Sequence, residues 1–490
     1  MQLEYVKAKN GSLTCTFNGI FLHSSYNPES ESERFTQSLK IDFIPSNIIV
    51  IEPALSYCLK NLKERFPNSN IFAIRFIKNI KNAEPDYTFE KEFYFENESG
   101  LKTELFNYFG EGDLLNTFFV SWPGSTKVFS EQNEKTWAVI KELLKDCQSI
   151  LATRQFFAGR WIKNQIKFFL NLSNTIQLNK IDIPVLICAS GPGLKNCIPE
   201  IKKIQDSFFI IACSSAIKPL LYNRIKPDLC ISTDGGFWAK KHLYCLLDQD
   251  IPLAVTPEAA VPEKLFLKDI VPLSYDDDFT KNIFEKENIM CTKAKQNGTI
   301  SGTAVELALS ITDKKIYAAG LDLEAGIGFS HTQPNSLELN SCIKDNKLKN
   351  IDTRTFSQGL ESRSLEMYRA WFTEKSEEFS KRVSRVYNLK PYRHKLGFIE
   401  DIDIKTISSQ KNQKKNYFTQ KKCSTVDKKQ VLEIYSALLK NENFIKNYFP
   451  ADCISIARCT DEERKEEFKA QLEKKIEKIK SFIKRQEEGL

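Results

Sequence analysis

At 490 residues, 41% of them hydrophobic and 27% charged, the chain is long enough for two or three domains that each bury a core. Its 70 basic and 63 acidic residues leave a formal charge of +7, too mild over this length to require a nucleic-acid partner. Thirteen cysteines with no CxxC pair, no signal-peptide pattern after Met1 and no apolar run of membrane length argue against a disulfide framework, a zinc ribbon and a membrane span. The expectation is a cytoplasmic protein with reduced thiols.

Residues 1–125 are expected to form a mixed α/β domain. Ile48–Ile51 and Ile71–Ile74 are apolar strand runs, and Leu55, Leu59, Leu62 and Phe66 lie on one helix face between them. The turn after the first strand reads Glu52-Pro53-Ala54-Leu55 without glycine, which disfavours close approach of a cofactor and favours a structural or acceptor-positioning role. His23 sits in a turn ahead of a helix start and reads as a packing residue. Residues 126–180 form a helical connector: from Ser130 to Ser173, Trp137, Ile140, Leu143, Leu144, Phe156, Trp161, Ile166 and Phe169 make it amphipathic.

Residues 181–400 carry the chemistry. Val185–Cys188 is a run suited to a strand buried on both faces. It ends in Ser190-Gly191-Pro192-Gly193, where glycine lets backbone turn sharply and approach a ligand closely. Leu194, Ile198, Ile201 and Ile204 recur at helical spacing, with Pro199 placed near the helix start. A second strand over Phe208–Cys213 ends at Ser214-Ser215, and a third over Leu229–Ser232 ends at Asp234. Strand, glycine-rich turn, helix and strand make a parallel unit that presents a phosphate cradle at the carboxyl ends of its strands. Further strands are expected at Leu253–Val255, Val271–Leu273 and Lys315–Ala319. Asp276-Asp277-Asp278 has the composition of a metal site but reads better as a solvated loop, because neighbours on extended chain point apart.

Between these strands, Gly298-Thr299-Ile300-Ser301-Gly302-Thr303 opens a helix. Thr303 and Glu306 have capping-box spacing, and the helix's positive end suits an anion as well as it suits an ordinary cap. The last strand ends in Gly320-Leu321-Asp322, with His331 in the loop beyond. Leu365, Tyr368, Phe372, Phe379 and Val383 fit one helix face. Residues 401–490 are expected to be a helical C-terminal domain, with helices over Val431–Phe449 and Glu463–Glu488 and a basic solvated linker over Lys411–Lys422.

GPGL, Ser214-Ser215, KPDLCISTD, TISGTAVELAL, KKIYAAGLDLE and SHTQPN, in this order, resemble the motility accessory factor family of flagellin glycosyltransferases. HSSYNPESESER near the start and VYNLKPYRHKLGFIEDI late in the chain extend the likeness over most of residues 20–405. TISGT followed by IYAAGLD is also similar to bacterial sialyltransferases that use CMP-activated sugars. The resemblance implies an α/β fold with a central Rossmann-like, sialyltransferase-like parallel sheet. It also implies transfer of a nonulosonic acid, pseudaminic or legionaminic in type, from a CMP-sugar donor to flagellin Ser or Thr. No cofactor is required by it, and a divalent metal is left open.

Carried onto this chain, Gly191, Pro192, Gly193 and Ser214 would line the nucleotide and Ser301, Gly302 and Thr303 the cytidine or the donor phosphate, with Ser215, Asp234 and Gly298 also in the nucleotide- or sugar-binding set. Asp322 would mark the donor edge as a catalytic residue. Sialyltransferases put tyrosines on the phosphate just past the GLD motif, where this chain has Leu323, Glu324 and Phe329. Their base histidine lies further along; around Arg354 to Arg363 there is none, so His331 becomes the base candidate. Two other functions stay open: an ATP-dependent enzyme like 6-hydroxymethylpterin diphosphokinase, which shares GPGL and PDL…D but has an acidic pair where this chain has only Asp234, and a non-catalytic flagellin-binding accessory protein.

Overall fold

The computed structural model describes residues 3–83, 86–324, 328–338, 343–351, 353, 363–389, 391–408, 416–422 and 426–490. The stretch around Arg354, and residues 411–415 of the basic run, fall outside them. The α/β class expected from the sequence is borne out. The chain divides into two compact units, one of Met1–Ala158 with Leu439–Lys478, the other of Gly159–Leu438 with Ile479–Leu490.

In the first unit, β1 (Leu3–Lys7), β2 (Leu13–Phe17) and β3 (Ile20–Phe21) form a small antiparallel sheet. A second sheet is wholly parallel: β4 (Asn47–Ile51), β5 (Asn70–Arg75), β6 (Glu92–Tyr94) and β7 (Thr117–Ser121), in the order β6-β5-β4-β7. Alternation along β4 sends Ile48 and Val50 into one core cluster and Ile49 and Ile51 into another, so both faces are covered. The turn after β4 is filled by the chain's own groups. The buried Glu52 carboxylate accepts from the backbone N–H of Ala54, Phe76 and Ile77, and Arg75 donates to Ala54 O, Ser56 Oγ and Glu92. His23 is buried beside Trp122, its Nε2 accepting from Leu55 N–H at 2.9 Å. Both observations accord with a structural role for this turn.

The helix Ser130–Asn171 carries the chain into the second unit. There β8 (Asn174–Leu178), β9 (Val185–Cys188), β10 (Phe209–Cys213), β11 (Leu229–Ser232), β12 (Leu253–Val255), β13 (Ile270–Ser274), β14 (Thr292–Lys293), β15 (Ile316–Ala319), β16 (Val383–Tyr387), β17 (Glu400–Asp403) and β18 (Phe418–Lys422) build one large sheet. Its order is β17-β16-β15-β9-β10-β11-β12-β13-β8-β18, with β14 on β13; every pair is parallel except β18 with β8. From β9 the chain winds outward through β10 to β13 and then returns to β15 on β9's other side. The β9–β15 boundary is therefore a topological switch point, the place where open α/β sheets take ligands at the strands' carboxyl ends. The helix Ile300–Ile311 lies across β9, β10, β11 and β15, and Ala304, Val305, Leu307, Ala308 and Ile311 seal the core there.

Three local expectations change. Val383 belongs to β16, not to a helix: its helical spacing from Phe379 is coincidental, and the helices before it, Arg363–Glu374 and Ser376–Ser380, end first. Pro199 lies inside the helix Leu194–Ile204 rather than in its first turn. The basic run is not wholly a linker, because Phe418–Lys422 pairs with β8 and Tyr417 is buried, its hydroxyl donating to Asp182 at 2.7 Å. After residue 427 the chain is helical: Lys428–Leu438, Glu442–Tyr448, Pro450–Arg458 and Glu462–Glu487.

Candidate functional site

The turn after β9 is built around a carboxylate. Gly191 N–H donates to Gly320 O at 3.0 Å, and Gly193 N–H donates to Asp322 Oδ2 at 2.5 Å. A Cβ on Gly191 would lie 2.5 Å from that Oδ2, and one on Gly193 2.5 Å from Oδ1. Both positions thus need glycine because Asp322 fills the space where side chains would stand. Gly320, at φ +69°, supplies the bend that turns Asp322 back toward β9. Burial raises the Asp322 carboxyl to about 6, opposed by the Gly193 N–H, the Tyr392 hydroxyl and Arg385. Arg385 is itself fully buried, paired with Asp401 at 2.6 Å and stacked on Tyr392. The expected donor-edge aspartate is therefore turned into the glycine turn and positions it.

A loop closes over this turn. Thr332 N–H donates to Ser190 O at 2.8 Å and its Oγ1 to Gly191 O at 2.7 Å, while Asn335 Nδ2 donates to Ser215 O at 3.2 Å. Ser190 and Ser215 hydroxyls meet at 2.7 Å, linking the ends of β9 and β10. Glu338 organises the loop: it accepts from the backbone N–H of Ser330 and from Gln333 Nε2, and lies 3.2 Å from His331 Nδ1. A ring nitrogen held by a carboxylate fixes the imidazole's orientation and leaves Nε2 as the nitrogen for proton transfer, the pairing used for a general base. His331 is partly exposed.

Ser214 is buried at the end of β10, and its Oγ has no hydrogen-bond partner. Asp234, at the end of β11, is exposed and caps its own turn by accepting from Gly236 N–H at 2.7 Å. Its charge acts on Tyr368, whose ring a Cβ on Gly298 would meet at 3.0 Å, so Asp234, Tyr368 and Gly298 share one corner of the rim.

The helix start differs in detail from the capping box expected at Thr303 and Glu306. Thr299 is the cap, accepting from Gly302 N–H at 2.9 Å, and Asn297 in turn accepts from Thr299 N–H. Thr303 is therefore already inside the helix, with its hydroxyl on Lys295 O and beside that of Tyr275, while Glu306 pairs with Lys295. Tyr275 in turn contacts Thr233, past the end of β11. Gly191 and Ser301 thus lie along the same carboxyl edge of the sheet.

Asp276, Asp277 and Asp278 behave as a solvated loop: Asp277 caps the helix Asp278–Lys286, and Asp276 pairs with Lys281 and Lys293. Among the described residues no group of three or more His, Cys, Asp or Glu is placed to hold a metal ion. The eleven cysteines among them are free thiols, and no helix among them is long and apolar enough to cross a membrane. A cavity of about 430 Å³ lined by Ser274, Asp276, Lys281, Phe284, Cys291 and Lys293 opens beside β13 and β14, and no residue of the glycine turn lines it. Sequence reasoning missed Glu338, Thr332 and Asn335. SHTQPN signalled the loop, but nothing in a loop's spacing tells which side chains reach back to a strand end.

Residues 160–327 match the model of the family described as 6-hydroxymethylpterin diphosphokinase MptE-like. The chain is 30% identical over 340 residues to an uncharacterized protein of Treponema pallidum (strain Nichols), covering 68% of this chain and 74% of that one. A second uncharacterized protein of the same organism is 24% identical over 212 residues, 42% of this chain and 36% of that one. The fold is similar to that of the MAf glycosyltransferase from Magnetospirillum magneticum AMB-1, with a TM-score of 0.57 and 13% identity over 99% of this chain and 91% of that one.

Proposed function

We propose that the chain, whose residues 160–327 match the MptE-like family model and whose fold is similar to that of a MAf glycosyltransferase, is a motility accessory factor that acts as a protein O-glycosyltransferase. In this reading it moves a pseudaminic- or legionaminic-type nonulosonic acid from a CMP-sugar to Ser or Thr hydroxyls of flagellin in the cytoplasm. One observation supports the reading above the others. At the β9–β15 switch point, strand-end turns and a closing loop meet beside a histidine whose Nδ1 is held by a carboxylate.

In the proposed mechanism Gly191, Pro192, Gly193, Ser214 and Ser215 receive the nucleotide, with Asp322 positioning the turn. Gly298 and Ser301, just before and at the start of a twelve-residue helix, offer the donor phosphate the positive end of the aligned peptide dipoles, with Gly302 and Thr303 bonded into the cap behind them. Asp234 bounds the rim. The bond between the sugar's anomeric carbon and the phosphate oxygen breaks, its electron pair leaving with CMP. The acceptor oxygen bonds to that carbon and passes its proton to His331 Nε2. Amides at the helix start stabilise the charge gathering on the departing phosphate.

The test is intact-mass spectrometry of flagellin incubated with the protein and a CMP-nonulosonate. The expected result is an added sugar mass, with His331→Ala lowering transfer roughly 100- to 10,000-fold while calorimetric CMP affinity stays unchanged. Unmodified flagellin that still binds the protein would replace the reading with a non-catalytic accessory, and ATP turnover with 6-hydroxymethylpterin would replace it with a diphosphokinase.

A further inference from the structure

His242 lies on the helix Phe237–Leu243, just past the Asp234 turn, and is only 7% exposed. Its Nδ1 has no hydrogen-bond partner. A buried ring nitrogen left unpaired is uncommon in a folded protein and calls for a cause. The helix Ile217–Tyr222, which begins just after Ser215, packs against the His242 helix and brings Lys218 into its field. The loop over the glycine turn is tied to Ser215 O by Asn335, just ahead of the helix Ile217–Tyr222, and its His331 acts on the same ring. Behind His331 stands Glu338, already committed to the loop's own amides. Cys245, in the turn after the helix, stays a neutral thiol, pushed up to about 11 by burial, and donates to His242's own carbonyl. Lys218 forms no ion pair among the described residues. Burial first, then His331 and Lys218, hold the His242 ring down to about 4, so it is neutral at pH 7.

A buried, unpaired ring nitrogen and a lysine with no ion pair among the described residues, on two helices packed together beside the strand end that the 328–338 loop closes over, lack a counter-charge. We propose that His242 and Lys218 form an oxyanion subsite on the rim beside Ser215, and that an anion bound there draws a proton onto His242. For its ligand the subsite rests on the glycosyltransferase reading, in which the donor offers two such groups, the nucleotide phosphate and the sugar carboxylate. Either oxyanion would accept from protonated His242 and from Lys218, giving the unpaired nitrogen a partner and the lysine a counter-charge.

With four histidines in the chain, ring-labelled NMR of the full protein can follow each one. Inorganic phosphate, CMP and free N-acetylneuraminic acid are titrated separately at pH 6.5. The expected result is a shift of the His242 signal by phosphate and by at least one of the two ligands, with the buried His23 signal unmoved. A response to CMP alone assigns the phosphate to the subsite; a response to the sugar acid alone assigns the carboxylate. His242→Gln and Lys218→Met are each expected to weaken the responding ligand about tenfold. Silence of His242 toward all three, or wild-type affinity in both variants, overturns the subsite. If CMP binds normally while His242 stays silent, the subsite falls and the glycosyltransferase reading survives. If phosphate moves His242 but neither CMP nor a CMP-sugar binds, the reading falls and the subsite stands.

Discussion

Gly193 offers a substitution whose effect should change sign with its neighbour. Its backbone is at φ −65°, ψ −24°, ordinary helical geometry, so alanine there carries no conformational strain. What alanine meets is Asp322: its Cβ would stand 2.5 Å from Oδ1, in the space beside the Gly193 N–H bond to Oδ2. Gly193→Ala must push the carboxylate out of the turn and break a hydrogen bond to a charged group, a loss of about 1.5–3 kcal/mol. With Asp322→Ala in place the obstruction is gone, and alanine at a helical position stabilises by about 0.5–1 kcal/mol relative to glycine. Hydrogen exchange at the amides of residues 185–204 reads both backgrounds, each 1.4 kcal/mol appearing as about a tenfold change in opening. The expected result is faster exchange for Gly193→Ala alone and slower exchange for the same change on top of Asp322→Ala. Equal effects in the two backgrounds would refute the idea that the carboxylate dictates glycine in this turn.

Further outcomes follow from other contacts. Burial lifts the Asp322 carboxyl from 3.8 to about 6, so the native state holds this proton longer than the unfolded chain does. The stability it contributes is full below pH 3.8 and lost as pH rises through about 6, a change of about 3 kcal/mol. Urea denaturation of wild type against Asp322→Asn between pH 4 and 7 should show that difference, and parallel curves would contradict it. Arg75→Met strands the buried Glu52 and should destabilise the first unit by about 3–5 kcal/mol, read as faster exchange in β4 and β5; a loss under about 1 kcal/mol would show the pair contributes little. Asp277→Ala removes two cap hydrogen bonds and should cost about 1 kcal/mol with no change in response to divalent ions, whereas lost metal-dependent activity would reopen the aspartate run as a ligand set.

What could be read from the sequence was set by burial on both faces. β9, β10 and β11 stand out as unbroken apolar runs because helices cover both sides of the sheet. β16 does not, since its third residue is Arg385, whose charge is satisfied by Asp401 on the neighbouring strand and cannot be foreseen from local pattern. β17 is hidden for a related reason: Glu-Asp-Ile-Asp has the charge of a strand near the sheet's edge and none of its hydrophobicity. At the site, the glycine turns were legible because strand-to-helix bends need them, yet their partner Asp322 read as a ligand group. A carboxylate at a strand end looks the same in sequence whether it faces solvent or, like Asp322, its own chain. The capping box failed on a finer point: Thr299 and Thr303 both offer hydroxyls, and only the bond to Gly302 N–H reveals which one caps.

Hydrogen-exchange footprinting of the protein with and without CMP goes most directly to the claim that the carboxyl edge at β9 and β15 is a nucleotide site. Protection confined to residues 189–194, 214–216, 297–303 and 328–338 is the outcome expected. Unchanged exchange there, with protection instead around residues 52–57 of the first unit, would contradict it.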